Sequence, residues 1–121
     1  MTVTLYHNPS CSNSRACLAL LRDRGIAPAI VEYLKVPLGE AELAAVAAQL
    51  RDAAGAAWPG LRDGMVRTKE PVYAALGLDG ASDAVLLAAV AAHPILLNRP
   101  IVVTAKGARL CRPPERVTEI L

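Results

Sequence analysis

A chain of 121 residues has the length of one compact domain, and its apolar content, mostly Ala, Leu and Val without any Phe, points to small side chains packed between helices rather than to disorder. The formal net charge is only +2, and the basic residues are scattered instead of clustered with aromatics, which excludes the electrostatic footprint of a nucleic-acid binder. The longest uncharged apolar run, Ala84 to Ala92, falls well short of the roughly 18 residues a membrane-spanning helix needs.

The first residues, "MTVTLYHNP", carry neither a basic start nor an apolar stretch with a small-residue cleavage site, so no secretory signal is read and a cytoplasmic location is expected. "TVTLY" alternates and is rich in β-branched residues, which predicts a strand. "HNPSC" interrupts it, and "SNSRACLALLRDRG" places Cys17, Leu20 and Leu21 at helical spacing before stopping at Gly25. Pro28 introduces "AIVEYL", Ala29 to Leu34, a second strand that a helical crossover makes parallel to the first.

The middle of the chain reads as helical. "GEAELAAVAAQLRDAAG" opens at Gly39 with acidic residues in its first turn and ends at Gly55, while "SDAVLLAAVAAHP" has Ser82 as N-cap and stops before Pro94. Between them, "WPGLRDGMVRTKEPVYAALGL" is cut by Pro and Gly into short pieces. The end predicts a hairpin, "PIVVT" and "ARLCR" joined by a three-residue "AKG" turn with left-handed Gly107, then a Pro-started helix in "PPERVTEIL". The expected fold is therefore α/β: a single domain over 1–121 with a mixed four-stranded βαβ…ββα sheet of thioredoxin-like plan and a helical insertion over about 39–93, between the second and third strands. That plan brings the loop after the first strand beside "NRP", where Pro100 is the candidate for a structural cis-proline following Arg99.

Cys11, Cys17 and Cys111 form an odd set with no C-x2-C pair, which argues against a disulfide framework or a zinc site. Cys17 and Cys111 fall on apolar faces and are expected as core thiols. Cys11 stands just ahead of a helix, where unpaired N–H groups and the positive end of the dipole favour thiolate. Ser12, Asn13 and Ser14 are small donors beside it, and His7 or Arg15 is positioned to add positive charge. Taken alone, "HNPSCSNSR" leaves two options open: a small turn residue in a capped helix start, or a nucleophile. C-x5-R phosphatase chemistry is closed, since Cys17 occupies the Arg position, and a dithiol pair is closed because Ser14 stands where the second cysteine would be.

Arg supplies ten of the thirteen cations, and its planar fork suits oxyanions. Arg67, Arg99 and Arg112 are the arginines of interest. Arg62 and Lys69 are expected in solvent, His93 at a helix end, and Trp58 as a packing anchor near the insertion.

"HNPSCSNSR", "RTKEPVYAALGL", "HPILLNRPIVVT" and "GARLCRPPE", in that order from Tyr6 to Pro114, resemble the glutaredoxin-coupled arsenate reductases of the ArsC type. The resemblance implies Cys11 as nucleophile, Arg67, Arg99 and Arg112 as the cations that hold the oxyanion and its covalent adduct, and His7 as a group lowering the thiol pKa, with Ser14 in the same motif. It implies arsenate as substrate, glutathione as co-substrate and glutaredoxin as partner, with no bound cofactor, metal, nucleic acid or membrane, and a monomer. Two rivals stand beside it, the first on the same fold. An Spx-like thiol-responsive regulator typically carries C-x2-C and lacks the H-N-P lead-in, and a monothiol glutathione-dependent oxidoreductase would leave Arg67 and Arg112 without a purpose.

Overall fold

The computed structural model describes residues 2–121. The chain runs β1 (Thr4–Tyr6), α1 (Ser12–Asp23), β2 (Ala29–Val31), α2 (Glu40–Ala54), α3 (Leu61–Met65), α4 (Pro71–Ala75), α5 (Asp83–Ala92), β3 (Ile101–Thr104) and β4 (Gly107–Leu110). Short 3-10 segments cover Gly55–Ala57, Pro94–Leu96 and Pro114–Ile120.

The strands form one sheet in the order β2, β1, β3, β4. β1 is parallel to β2 and antiparallel to β3, with Leu5 opposite both Ile30 and Val102. This is the mixed α/β sheet of thioredoxin-like plan, with helices on both faces. Side chains alternate across a strand, so neighbouring residues serve different layers. Val3, Leu5 and Val102 pack with Cys17, Leu21, Val117 and Ile120 under α1 and the last 3-10 segment. Tyr6, Ile101 and Ala108 face Leu43, Val46, Leu50, Leu86 and Val90 of α2 and α5 on the other side.

Three local expectations change. The second strand ends at Val31 rather than Leu34, because its only neighbour is the short β1; the last rung is His7 N–H to Val31 O at 2.9 Å, and Glu32 O then accepts from Lys35 and Val36 to turn the chain. The hairpin loop holds two residues, Ala105 and Lys106: Thr104 pairs with Gly107, whose φ of +137° lies beyond the αL region, and Thr104 Oγ1 accepts the Lys106 N–H at 3.0 Å. The closing segment Pro114–Ile120 is 3-10 rather than α-helical.

Ser82 caps α5 as expected, its side chain accepting from Val85 N–H. Arg62 is not a solvated cation. Its Nε donates to Tyr73 Oη at 2.8 Å and its Nη2 to Ala81 O at 2.9 Å, tying α3 to the segment that leads into α5. Trp58 packs against Gly64, where an added Cβ would fall 2.5 Å from the indole. Lys69 and His93 are exposed.

Candidate active site

The loop from His7 to Ser10 is tightened by its own polar groups. Asn8 Oδ1 accepts from Ser10 N–H at 3.0 Å, Asn8 O accepts from Cys11 N–H at 3.0 Å, and Arg15 Nη1 donates to Pro9 O at 2.9 Å. Cys11 thereby takes the N-cap position of α1 in extended conformation, and its carbonyl accepts the helical bond from Arg15 N–H at 3.0 Å. Its side chain is nearly buried, at 8% exposure.

Two opposed effects act on the Cys11 sulfur. Burial raises its pKa, but the N–H of Ser14, the Arg99 guanidinium, the N–H of Asn13 and the Arg112 guanidinium outweigh it and hold the thiol below its ordinary value. Arg112 Nη1 lies 3.9 Å from Sγ and donates to Arg99 O at 3.2 Å, so the same nitrogen is braced by the backbone that carries the other cation. The Arg99–Pro100 bond is cis, as the sheet plan led us to expect; Arg112–Pro113 is cis as well, which was not expected.

Arg67 reaches the same place by a different route. Val66 forms an isolated antiparallel bridge with Leu97, with Arg67 N–H donating to Leu96 O at 2.7 Å and Asn98 N–H to Met65 O at 2.8 Å. This stitches the insertion to the approach of β3. Arg67, Arg99 and Arg112 line one open cleft of about 510 Å³ together with Asn98, Thr68 and Lys69. Arg67 is not a free cation there, since its Nη2 pairs with Glu70 Oε1 at 2.6 Å.

His7 is bound at the helix start. Its Nδ1 is 2.6 Å from Ser14 Oγ, which also accepts the Asn8 N–H at 3.1 Å, and it is not among the groups that act on the Cys11 sulfur. Burial lowers the His7 pKa, against the attraction of Glu32. At neutral pH it is a neutral partner of Ser14, so it orients the helix start instead of supplying charge to the thiol. Arg15 likewise braces the loop.

Cys17 and Cys111 are fully buried in the layer beneath α1. They contact each other, and the Cys111 thiol is pushed far up by its hydrogen bond with Cys17 and by burial. Neither opens onto the cleft. Two residues at the site went unnoticed in the sequence. Glu70, three residues after Arg67 in "RTKE", has the i,i+3 spacing that would have suggested the pair. Tyr33 lies inside the stretch read as a strand; it is 1% exposed, and the charges of Arg99, Arg67 and Cys11 act on its hydroxyl.

The arrangement holds a thiol of lowered pKa at a helix N-terminus under the charge of two guanidinium groups, which line a cleft together with a third. Such a site can bind an anion and attack it. Known proteins resemble this chain in both sequence and fold. The model of the ArsC family matches residues 6–120. An "Arsenate reductase" of Rhizobium meliloti (strain 1021) is 50% identical over 123 residues, spanning 100% of this chain and 82% of the relative. One of Haemophilus influenzae is 42% identical, with 100% of both chains covered. The solved structure titled "Arsenate reductase from Vibrio cholerae" superposes with a TM-score of 0.90 at 46% identity, covering 100% of this chain and 98% of the other. With a family match across almost the whole chain and relatives this similar over their full shared length, the chain belongs to the ArsC family.

Proposed function

We propose that this chain reduces arsenate to arsenite, with Cys11 as nucleophile, glutathione as the source of the second thiol and glutaredoxin as the acceptor of the resulting disulfide. One observation carries the reading: the Cys11 sulfur lies at the start of α1 with Arg112 Nη1 at 3.9 Å and Arg99 facing it, beside a cleft completed by Arg67. A thiolate attacking an anion must overcome repulsion between like charges. Guanidinium groups and helix N–H groups remove that repulsion and stabilise the charge that builds on the oxygens as the bond forms.

The steps follow from the electron balance. Cys11 thiolate attacks arsenic(V), a protonated oxygen leaves as water, and a Cys11 sulfur–arsenic bond forms. Glutathione thiol adds to the same arsenic with loss of a second water. A glutaredoxin thiolate then attacks the glutathione sulfur; the electron pair of the sulfur–arsenic bond stays on arsenic, which becomes arsenic(III), and a glutaredoxin–glutathione disulfide departs. Water cleaves the remaining Cys11 sulfur–arsenic bond, releasing arsenite and the Cys11 thiol. An external thiol is required because Cys17 and Cys111 are both buried under α1, away from the cleft.

The roles divide accordingly. Arg99 and Arg112 neutralise the thiolate and the bound oxyanion, Arg67 adds a third cation to the cleft under the restraint of Glu70, and Ser14, held by His7, fixes the helix start whose N–H groups act on the sulfur. Arsenite release from purified protein with arsenate, glutathione and glutaredoxin tests the reading. Turnover should vanish in Cys11→Ser with the circular dichroism spectrum unchanged; arsenite formation by that variant overturns it.

A further inference from the structure

Two buried side-chain polar atoms among the described residues have no hydrogen-bond partner, Tyr33 Oη and Arg99 Nε. Such atoms are costly, and native structures keep few of them. Both belong to residues whose charges or dipoles act on Cys11 or are acted on by it. Tyr33 follows β2, whose Val31 O accepts the His7 N–H at 2.9 Å, so it enters beside the loop that leads to Cys11; the charges of Arg99, Arg67 and Cys11 and the Asn8 side chain act on its hydroxyl.

Packing does not explain the hydroxyl. The residue is 1% exposed, and it shares with Leu38, Leu43, Val90, Pro94 and Leu97 an apolar cavity of about 10 Å³, too small and too apolar to supply a polar partner. A phenylalanine would fill the same space. Burial also keeps the phenol protonated, so Tyr33 offers a hydrogen to the site, as the Arg99 Nε–H does. Two unused donors on residues that interact with Cys11 call for an acceptor that arrives with the substrate.

We propose that Tyr33 is a further substrate-binding residue, its hydroxyl donating, alongside Arg99 Nε–H, to an oxygen of the tetrahedral oxyanion held at Cys11. This rests on the reading of Cys11 as the attacking thiolate of an arsenate reductase. Charge on an oxyanion is met by arginines from the cleft side, and the Tyr33 hydroxyl meets an oxygen from the protein side, where water does not reach.

The test compares wild type with Tyr33→Phe by the rate at which iodoacetamide alkylates Cys11 in rising arsenate, followed by mass spectrometry. The arsenate concentration giving half-protection should rise about tenfold in the variant, the size expected for a lost hydrogen bond to a charged group. The pH midpoint of alkylation without arsenate and the melting temperature should not move. Equal half-protection in the two proteins overturns the proposal. So does a variant that loses melting temperature and shifts the alkylation midpoint, because that is a structural role. If arsenate fails to protect wild type at all, the arsenate-reductase reading falls, and the comparison run in inorganic phosphate decides Tyr33: a tenfold loss upholds the donor and no difference overturns it.

Discussion

The cations beside Cys11 set the pH at which its sulfur becomes a nucleophile. Burial opposes ionisation, so the lowered pKa exists only because Arg99, Arg112 and two backbone N–H groups outweigh it. Alkylation of Cys11 should therefore rise through a midpoint below that of an ordinary thiol. In Arg99→Ala and Arg112→Ala the midpoint should move to higher pH, since the thiolate loses a favourable charge while burial still penalises it; iodoacetamide kinetics across pH check this. His7 has the opposite sign of consequence. Its folded pKa is lowered by burial, so the unfolded chain binds more protons as the pH drops, and stability held above pH ~6.5 is lost as acid passes through the folded value. Urea midpoints from pH 7.5 down to 4.5 should fall less steeply in His7→Asn than in wild type.

At this scale the sequence shows the residue types but not their partners. The N-cap cysteine, the small donors after it and the cis-proline candidate were all legible from local chemistry and the sheet plan. The partner of His7 was not legible: the ring turns to Ser14 Oγ at 2.6 Å. Periodicity also could not tell Arg62, which binds Tyr73 and the Ala81 carbonyl, from a surface arginine.

Among the elements, the β3–β4 hairpin and the closing 3-10 segment behave as one unit. Thr104 Oγ1 donates to Ile120 O at 2.7 Å and accepts from Lys106 N–H, so a single hydroxyl serves both the turn and the C-terminal segment. Thr104→Val keeps the shape and strands two backbone groups. It should cost about 1–3 kcal/mol in urea unfolding, with the pH midpoint of Cys11 alkylation unchanged. Element type and order were readable because apolar period, caps and Pro or Gly boundaries are local properties. Strand ends and the hairpin loop were not, since a strand extends only as far as a neighbour's backbone accompanies it, and β1 is three residues long.

Across the whole molecule, the sheet separates two apolar layers, and the site sits at the edge where both contribute. α1, on one face, brings Cys11; the approach to β3 and the end of β4 bring Arg99 and Arg112; the insertion on the other face brings Arg67 and Tyr33's apolar neighbours. Leu43, 1% exposed where α2 packs on the sheet, is central to the insertion layer. Leu43→Ala should lower stability by about 2–5 kcal/mol in denaturant titration, through lost burial and the cavity left behind.

Local pattern alone determined the βαβ…ββ order, the helical insertion between the second and third strands, the helix start that holds a single thiol, and the motifs that mark the family. Only the tertiary structure decided which of ten arginines act on that thiol, that Glu70 restrains one of them, and that the Tyr33 hydroxyl is buried without a partner. The reason is physical. Electrostatic attraction depends on distance in space, and Arg112 meets Cys11 across 101 positions of chain, a separation that no local periodicity encodes.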